Sequence, residues 1–375
     1  NFPWFSSSII SNEVTFLPVK KEKIMSEGVR LYAGTQHGLM IWRSANGGWQ
    51  EVAHHFENGI IDSIHGCKQS PEKVFVGVTH DGLCRTSDGG KTWKKVLDGD
   101  IRSVSVDPTE DDVIYAGTEP VGLFRSEDGG DHWQEITSLK TLPQSVRKNW
   151  WYPQAPHHGH VRNIHIHPDD PQTLYLCLEH GGIVRSFDRG NTWQDVSKGI
   201  DYLDIHVIAN FPQRRDRYFV ASARGFFTSE KPEDGWVRAE SGLTRDYFHD
   251  FVFLRPESAG EPPIMLIATA DGSPGFWRRE NRGARAAVFK SNDGAASWTR
   301  ITEGLADDLD SMIWAVVQHP TDPRAVFAGF GNVARGHASG AGGAGDLIIS
   351  RDLGDSWERL DIELPADRVL WAAAD

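Results

Sequence analysis

Sulfur is scarce in this chain, with three cysteines (Cys67, Cys84 and Cys177) and four methionines among 375 residues. So few thiols exclude a disulfide-built scaffold. None of the three has the spacing of a metal-binding motif, so buried free thiols are expected. Positive charge is also short, at 39 Lys and Arg against 52 Asp and Glu, a formal net charge of −13. A field of that sign repels phosphate backbones and anionic lipid, so neither nucleic acid nor a membrane is an expected partner. No apolar run is long enough for a membrane-spanning helix and no signal-peptide pattern is visible, which makes the cytoplasm the expected location.

What the chain does contain is a repeat. Seven times a Ser or Thr is followed at short spacing by Asp or Asn, Gly and Trp, ending at Trp49, Trp93, Trp133, Trp193, Trp236, Trp298 and Trp357. Thr86, Asp88, Gly90, Thr92 and Trp93 form one full copy, and the copies ending at Trp133 and Trp193 match it. The first copy is two residues short and the fifth, around Ser229 and Asp234, is rearranged. Each residue suits a tight turn between antiparallel strands. The hydroxyl and carboxylate bond turn amides, Gly takes positive φ, and Trp fills the space between neighbouring sheets.

These motifs resemble the Asp-box, or BNR, repeat of sialidases, xyloglucan-cleaving glycosidases, sortilin-type receptors and the photosystem II assembly factor. The resemblance implies a propeller fold and leaves function open, because those relatives do unrelated things. Sialidases of this superfamily carry an Arg-Ile-Pro motif and six blades, and no Arg-Ile-Pro occurs here. No catalytic residue is therefore carried over from them. The xyloglucan-cleaving enzymes place two such propellers in tandem, whereas one fits here.

Around each motif the strand pattern repeats as well, giving four strands per unit. The expected fold is all-β, a seven-bladed β-propeller of four-stranded antiparallel blades. Only six complete units fit between residues 60 and 360, so the C-terminal strand should join three N-terminal strands and close the ring. Residues 1–28 read as an N-terminal extension and 29–375 as the propeller.

Intervals between the box tryptophans are 44, 40, 60, 43, 62 and 59 residues. The long intervals hold insertions at about 138–160, 270–286 and 331–345, all expected on the face opposite the box turns. Loops enlarged on one face of a rigid scaffold commonly carry the site. That face collects His80, Glu119, His180 and Arg224 from strand connections, and Trp150, Trp151, Tyr152, His160 and Trp277 from insertions. Counting back from the Pro that ends each innermost strand adds His65, Arg102, Arg162, His206, Asp250 and Trp314 as a ring at the channel entrance.

Polar side chains in an otherwise β-branched strand set are hard to explain by packing, although a wet structural channel would also hold them. Arg102 and Arg162 suit a carboxylate, sulfate or phosphate, or else a salt-bridge network with Asp250 and the acidic loops. His65, His80, His180 and His206 are the candidate ligands for a divalent metal, the one cofactor considered; alternatively His65, His206 and Asp250 are acid–base catalysts, or the imidazoles have no catalytic role. The aromatics provide flat faces for sugar rings or pack the insertions down. The leading expectation is an enzyme, hydrolase or lyase, acting on a polar, anionic or sugar-like small molecule. A non-catalytic propeller holding a protein partner and a glycan-binding module are the alternatives.

Overall fold

Strands such as Val74–Val78 and Gly182–Ser186 are buried at every position, so both faces of their sheets must be covered. A computed structural model describes residues 28–152, 157–212, 214–254, 264–280, 283–331, 346–362, 364 and 369–374. It shows how they are covered: the chain forms seven four-stranded antiparallel sheets, the blades of a β-propeller.

Blade 1 comprises Arg30–Thr35, Gly38–Ala45 and Gly48–His55, with Val369–Ala374 as its innermost strand. The remaining innermost strands, for blades 2 to 7, are Ile61–Gly66, Ile101–Val106, His160–Ile166, Ile205–Phe211, Tyr247–Leu254 and Met312–Gln318. Arg30 pairs with Ala374 and Thr35 with Val369, so the two ends of the chain close the ring in one sheet.

Seven separate hydrophobic clusters hold the wheel together, one at each seam between adjacent blades. Trp357 lies in the seam of blades 6 and 7, Trp298 in that of 5 and 6, and Trp236 in that of 4 and 5. Each box tryptophan thus faces the blade before its own. The turn that aims it is held by side chains. In blade 2, Thr86 Oγ1 donates to Asp88 Oδ1 (2.7 Å) and accepts from Gly90 N (2.9 Å), while Asp88 accepts from Thr92 N (2.9 Å) and Oγ1 (2.7 Å). Those bonds, led by Thr92 Oγ1, hold the Asp88 carboxyl well below its ordinary range.

The three cysteines are buried and free. Burial pushes the Cys67 thiol up to about 12 and Cys84 up to about 11. Among the described residues no helix is long and apolar enough to cross a membrane.

Candidate functional site

Pairing between the first and second strands of blades 2 to 7 slips by one residue at the same place. The slips fall between Ile61 and Ser63, Ile101 and Ser103, Val161 and Asn163, Ile205 and Val207, Phe248 and Asp250, and Ile313 and Ala315. The extra residues are Asp62, Arg102, Arg162, His206, His249 and Trp314. A bulge disturbs the ladder and re-aims its side chain, here at the end of the channel opposite the box turns. In blades 4, 6 and 7 the preceding blade supplies a donor to a carbonyl at the bulge. Ser103 Oγ donates to Val161 O (2.7 Å), His206 Nδ1 to Phe248 O (2.6 Å) and His249 Nδ1 to Trp314 O (2.9 Å). The closing strand of blade 1 pairs without a bulge.

Two expected ring members are displaced from this position. His65 lies three residues past the bulge, opposite Phe75, where burial lowers its pKa against a hydrogen bond with the Val104 backbone. Asp250 lies one residue past it, and its oxygens accept from Phe251 N and Val316 N, both at 2.9 Å. Burial pushes the Asp250 carboxyl up to about 7, against those two N–H donors and the nearby Arg162 and His206. The residues at the mouth in those blades are Asp62 and His249. Counting back from Pro misplaced them because the distance from bulge to Pro is six residues in blades 3, 4, 5 and 7 but nine in blade 2 and seven in blade 6.

Contacts link mouth residues from blade 2 through to blade 7. Arg102 meets Asp62 through Nη1, Glu119 through Nη2 (2.6 Å) and Asp100 through Nε (3.6 Å). His160 lies between two carboxylates, with Nδ1 3.6 Å from Glu119 and Nε2 2.9 Å from Glu179. Arg162 approaches Glu179 (3.7 Å) and donates to His249 Nε2 (2.9 Å). A guanidinium can only donate, so His249 carries its proton on Nδ1, in keeping with the bond to Trp314 O. Both expected anion-binding arginines are therefore engaged by protein carboxylates. The salt-bridge alternative places those bonds with Asp62, Asp100, Glu119 and Glu179 rather than Asp250.

Asp204 stands between two imidazoles, Oδ1 3.5 Å from His206 Nε2 and Oδ2 3.6 Å from His180 Nε2. Its Oδ1 is buried and makes no hydrogen bond among the described residues. Donation from Nδ1 to Phe248 O leaves Nε2 as the His206 nitrogen free to exchange a proton, and it is the one facing Asp204.

The same loop geometry occurs between blades 2 and 3, where His80 Nδ1 lies 3.1 Å from Asp100. There the imidazole is 80% exposed, against 18% for His180. Tyr152, carried by the 138–160 insertion, accounts for the difference together with Tyr202. Their rings approach His180 edge-on at 5.1 and 6.0 Å. His206 in turn packs beside Tyr247 (5.1 Å) and His249 (5.0 Å).

The other predicted residues divide between covering and packing. Trp150 packs against the seam of blades 3 and 4, and Trp151 is exposed and stacks on His157. Trp277 is buried, donates to Asp271 O and meets the Tyr247 ring edge-on. Trp314 is buried and donates to Gly331 O. Arg224 lies over the Tyr202 ring. Among the described residues no group of three or more His, Cys, Asp or Glu side chains is placed to hold a metal ion, so His65, His80, His180 and His206 do not converge as ligands. Residues 332–345 of the third insertion lie outside the described residues.

Sequence reasoning missed Asp62, Asp100, Asp204 and His249. The signal for Asp100 and Asp204 was their shared place two residues before a bulge.

No family model matches the chain. It is 24% identical over 221 residues to an oligoxyloglucan-reducing end-specific xyloglucanase of Emericella nidulans, a match covering 57% of the chain and 25% of that enzyme. Its structure resembles the GH74 xyloglucanase of Xanthomonas campestris with a TM-score of 0.57 at 16% identity, over 86% of the chain and 47% of the enzyme. It also resembles YCF48 of Cyanidioschyzon merolae, with a TM-score of 0.52 at 18% identity over 84% of the chain and 94% of YCF48. The chain spans about a quarter of the curated relative and about half of the xyloglucanase structure. Structural likenesses at these identities establish the propeller fold that the chain has in common with both.

Proposed function

We propose that this protein is a glycosidase-type hydrolase that acts on a polar, sugar-like molecule at the channel mouth above blades 4 to 6. One observation carries the reading: a His–Asp pair that is open to solvent between blades 2 and 3 is enclosed by Tyr152 and Tyr202 between blades 4 and 5 and gains His206 as a second imidazole. In this reading His206 Nε2 moves the proton, Asp204 holds it in line, and the tyrosines offer flat faces to a sugar ring. Likeness to xyloglucanases supports the substrate class. The test is release of reducing ends from a panel of oligosaccharides by the wild type and by His206→Ala and Asp204→Asn. Both variants should keep the circular dichroism of the wild type and lose turnover by about two orders of magnitude or more. Full activity in both would end the proposal.

A second reading is a non-catalytic propeller that holds a protein segment on the same face. It is favoured by the match to YCF48, which spans nearly all of that protein, one structure of which is described as bound to a D1 peptide. This reading predicts no turnover of any glycan and peptide binding that is lost in Tyr152→Ala.

A further inference from the structure

Among the described residues the mouth carries more carboxylates than guanidiniums. Asp62, Asp100, Glu119, Glu179 and Asp204 converge on it, against the two guanidiniums of Arg102 and Arg162. Both arginines already face carboxylates, and Glu119 lies between Arg102 Nη2 and His160 Nδ1. Among the described residues the nearby cations offset this only in part: Arg224 keeps its charge over the Tyr202 ring, while Arg245 and Arg285 are paired with Asp308 and Asp271. A ligand carboxylate or sulfate entering here would meet an excess of like charge in a largely desolvated site, and to reach an arginine it would have to displace a protein carboxylate.

We infer that the site discriminates against anionic sugars, and that Glu119 is a specificity-determining residue because it occupies the side of Arg102 that an anion would need. The inference rests on the proposed glycan reading and narrows it to uncharged or cationic substrates, in place of the anionic ligand that the arginines alone suggest.

The test compares a neutral glucose oligosaccharide with its counterpart carrying one glucuronate, by calorimetric binding and by turnover. Wild type should bind the neutral form more tightly by about tenfold or more, a difference typical of a misplaced charge. In Glu119→Gln that ratio should shrink severalfold. Added salt should strengthen uronate binding to the wild type and leave neutral binding unchanged, a readout that needs no variant to fold. Equal binding of the two sugars, binding of neither, or an unchanged ratio in a folded Glu119→Gln would overturn the inference. Selective binding without turnover would leave it standing and remove only the hydrolase reading.

Discussion

Asn163 and Asp250 hold equivalent places one residue past the bulges of blades 4 and 6, and each accepts a hydrogen bond from a main-chain N–H two residues past the bulge of the next blade. Asn163 Oδ1 takes Ile208 N at 3.3 Å and Asp250 Oδ2 takes Val316 N at 2.9 Å. An amide does in one seam what a carboxylate does in the other, so the task requires an acceptor and no charge.

Asp250→Asn should therefore fold, with its amide oxygen on Val316 N and Phe251 N losing its acceptor, and should gain stability relative to the wild type as pH rises towards neutrality. The folded carboxyl titrates at about 7, above its ordinary 3.8, so the folded state holds the proton that the unfolded chain has released. Wild-type stability consequently falls as pH rises through that window, and the amide is spared the loss. Denaturant unfolding at stepped pH should give a difference between the two proteins that grows between about pH 4 and 7 and is flat above. Asp250→Ala, which leaves Val316 N without its acceptor, should be destabilised by about 1–3 kcal/mol.

His165 should act in the opposite direction. Burial lowers its pKa to about 4 against a hydrogen bond with Asn210, so the folded protein keeps this ring neutral while the unfolded chain protonates it. Its contribution is complete above the ordinary value of 6.5 and is lost as pH falls towards 4. His165→Gln should flatten that acid limb in the same unfolding series. An unchanged slope would show that the ring is protonated in the fold.

Gly117 should resist enlargement. A Cβ there would sit 2.4 Å from Ser103 Oγ and 2.6 Å from Val161, at the seam of blades 3 and 4. Gly117→Ala should cost about 1–3 kcal/mol by overpacking, measured by thermal unfolding. Gly99→Ala meets no such neighbour, but its φ of +124° makes it a poor control; Gly48, with open space and no positive φ, is the better one.

Asp62 and Arg102 should prove strongly coupled. Asp62 is buried and also accepts from Thr79 Oγ1, so removing the arginine strands a carboxylate away from water. Arg102→Ala should cost about 3–5 kcal/mol, and Asp62→Ala less, because Arg102 keeps Glu119 and Asp100. The double variant should cost clearly less than both single losses together, as a double-mutant cycle would report. Simple additivity would mean that the pair is solvated.

The wheel was legible in the sequence because its signals are local. A box turn needs a hydroxyl, a carboxylate and a residue tolerant of positive φ within a few positions, and Trp93, Trp133 and Trp193 follow at fixed distance. Closure by the C-terminal strand followed from the count of units. The mouth was only partly legible. Arg102, Arg162, His206 and Trp314 share one spacing to Pro, while longer turns displaced the reading in blades 2 and 6 towards His65 and Asp250. A bulge is a property of main-chain pairing, and no residue type marks it, so Asp62 and His249 carried no visible sign. Which carboxylate meets which arginine depends on contacts between blades, and strand patterns are silent on that.

Because the bulges of blades 4, 6 and 7 are each served by a side chain from the blade before, polar residues along this part of the entrance are wired in series. His206 rests on blade 6, and His249 rests on blade 7 while taking a bond from Arg162 of blade 4. Redesign of this entrance one residue at a time would propagate along the circuit, so new chemistry is best introduced by exchanging adjoining members together.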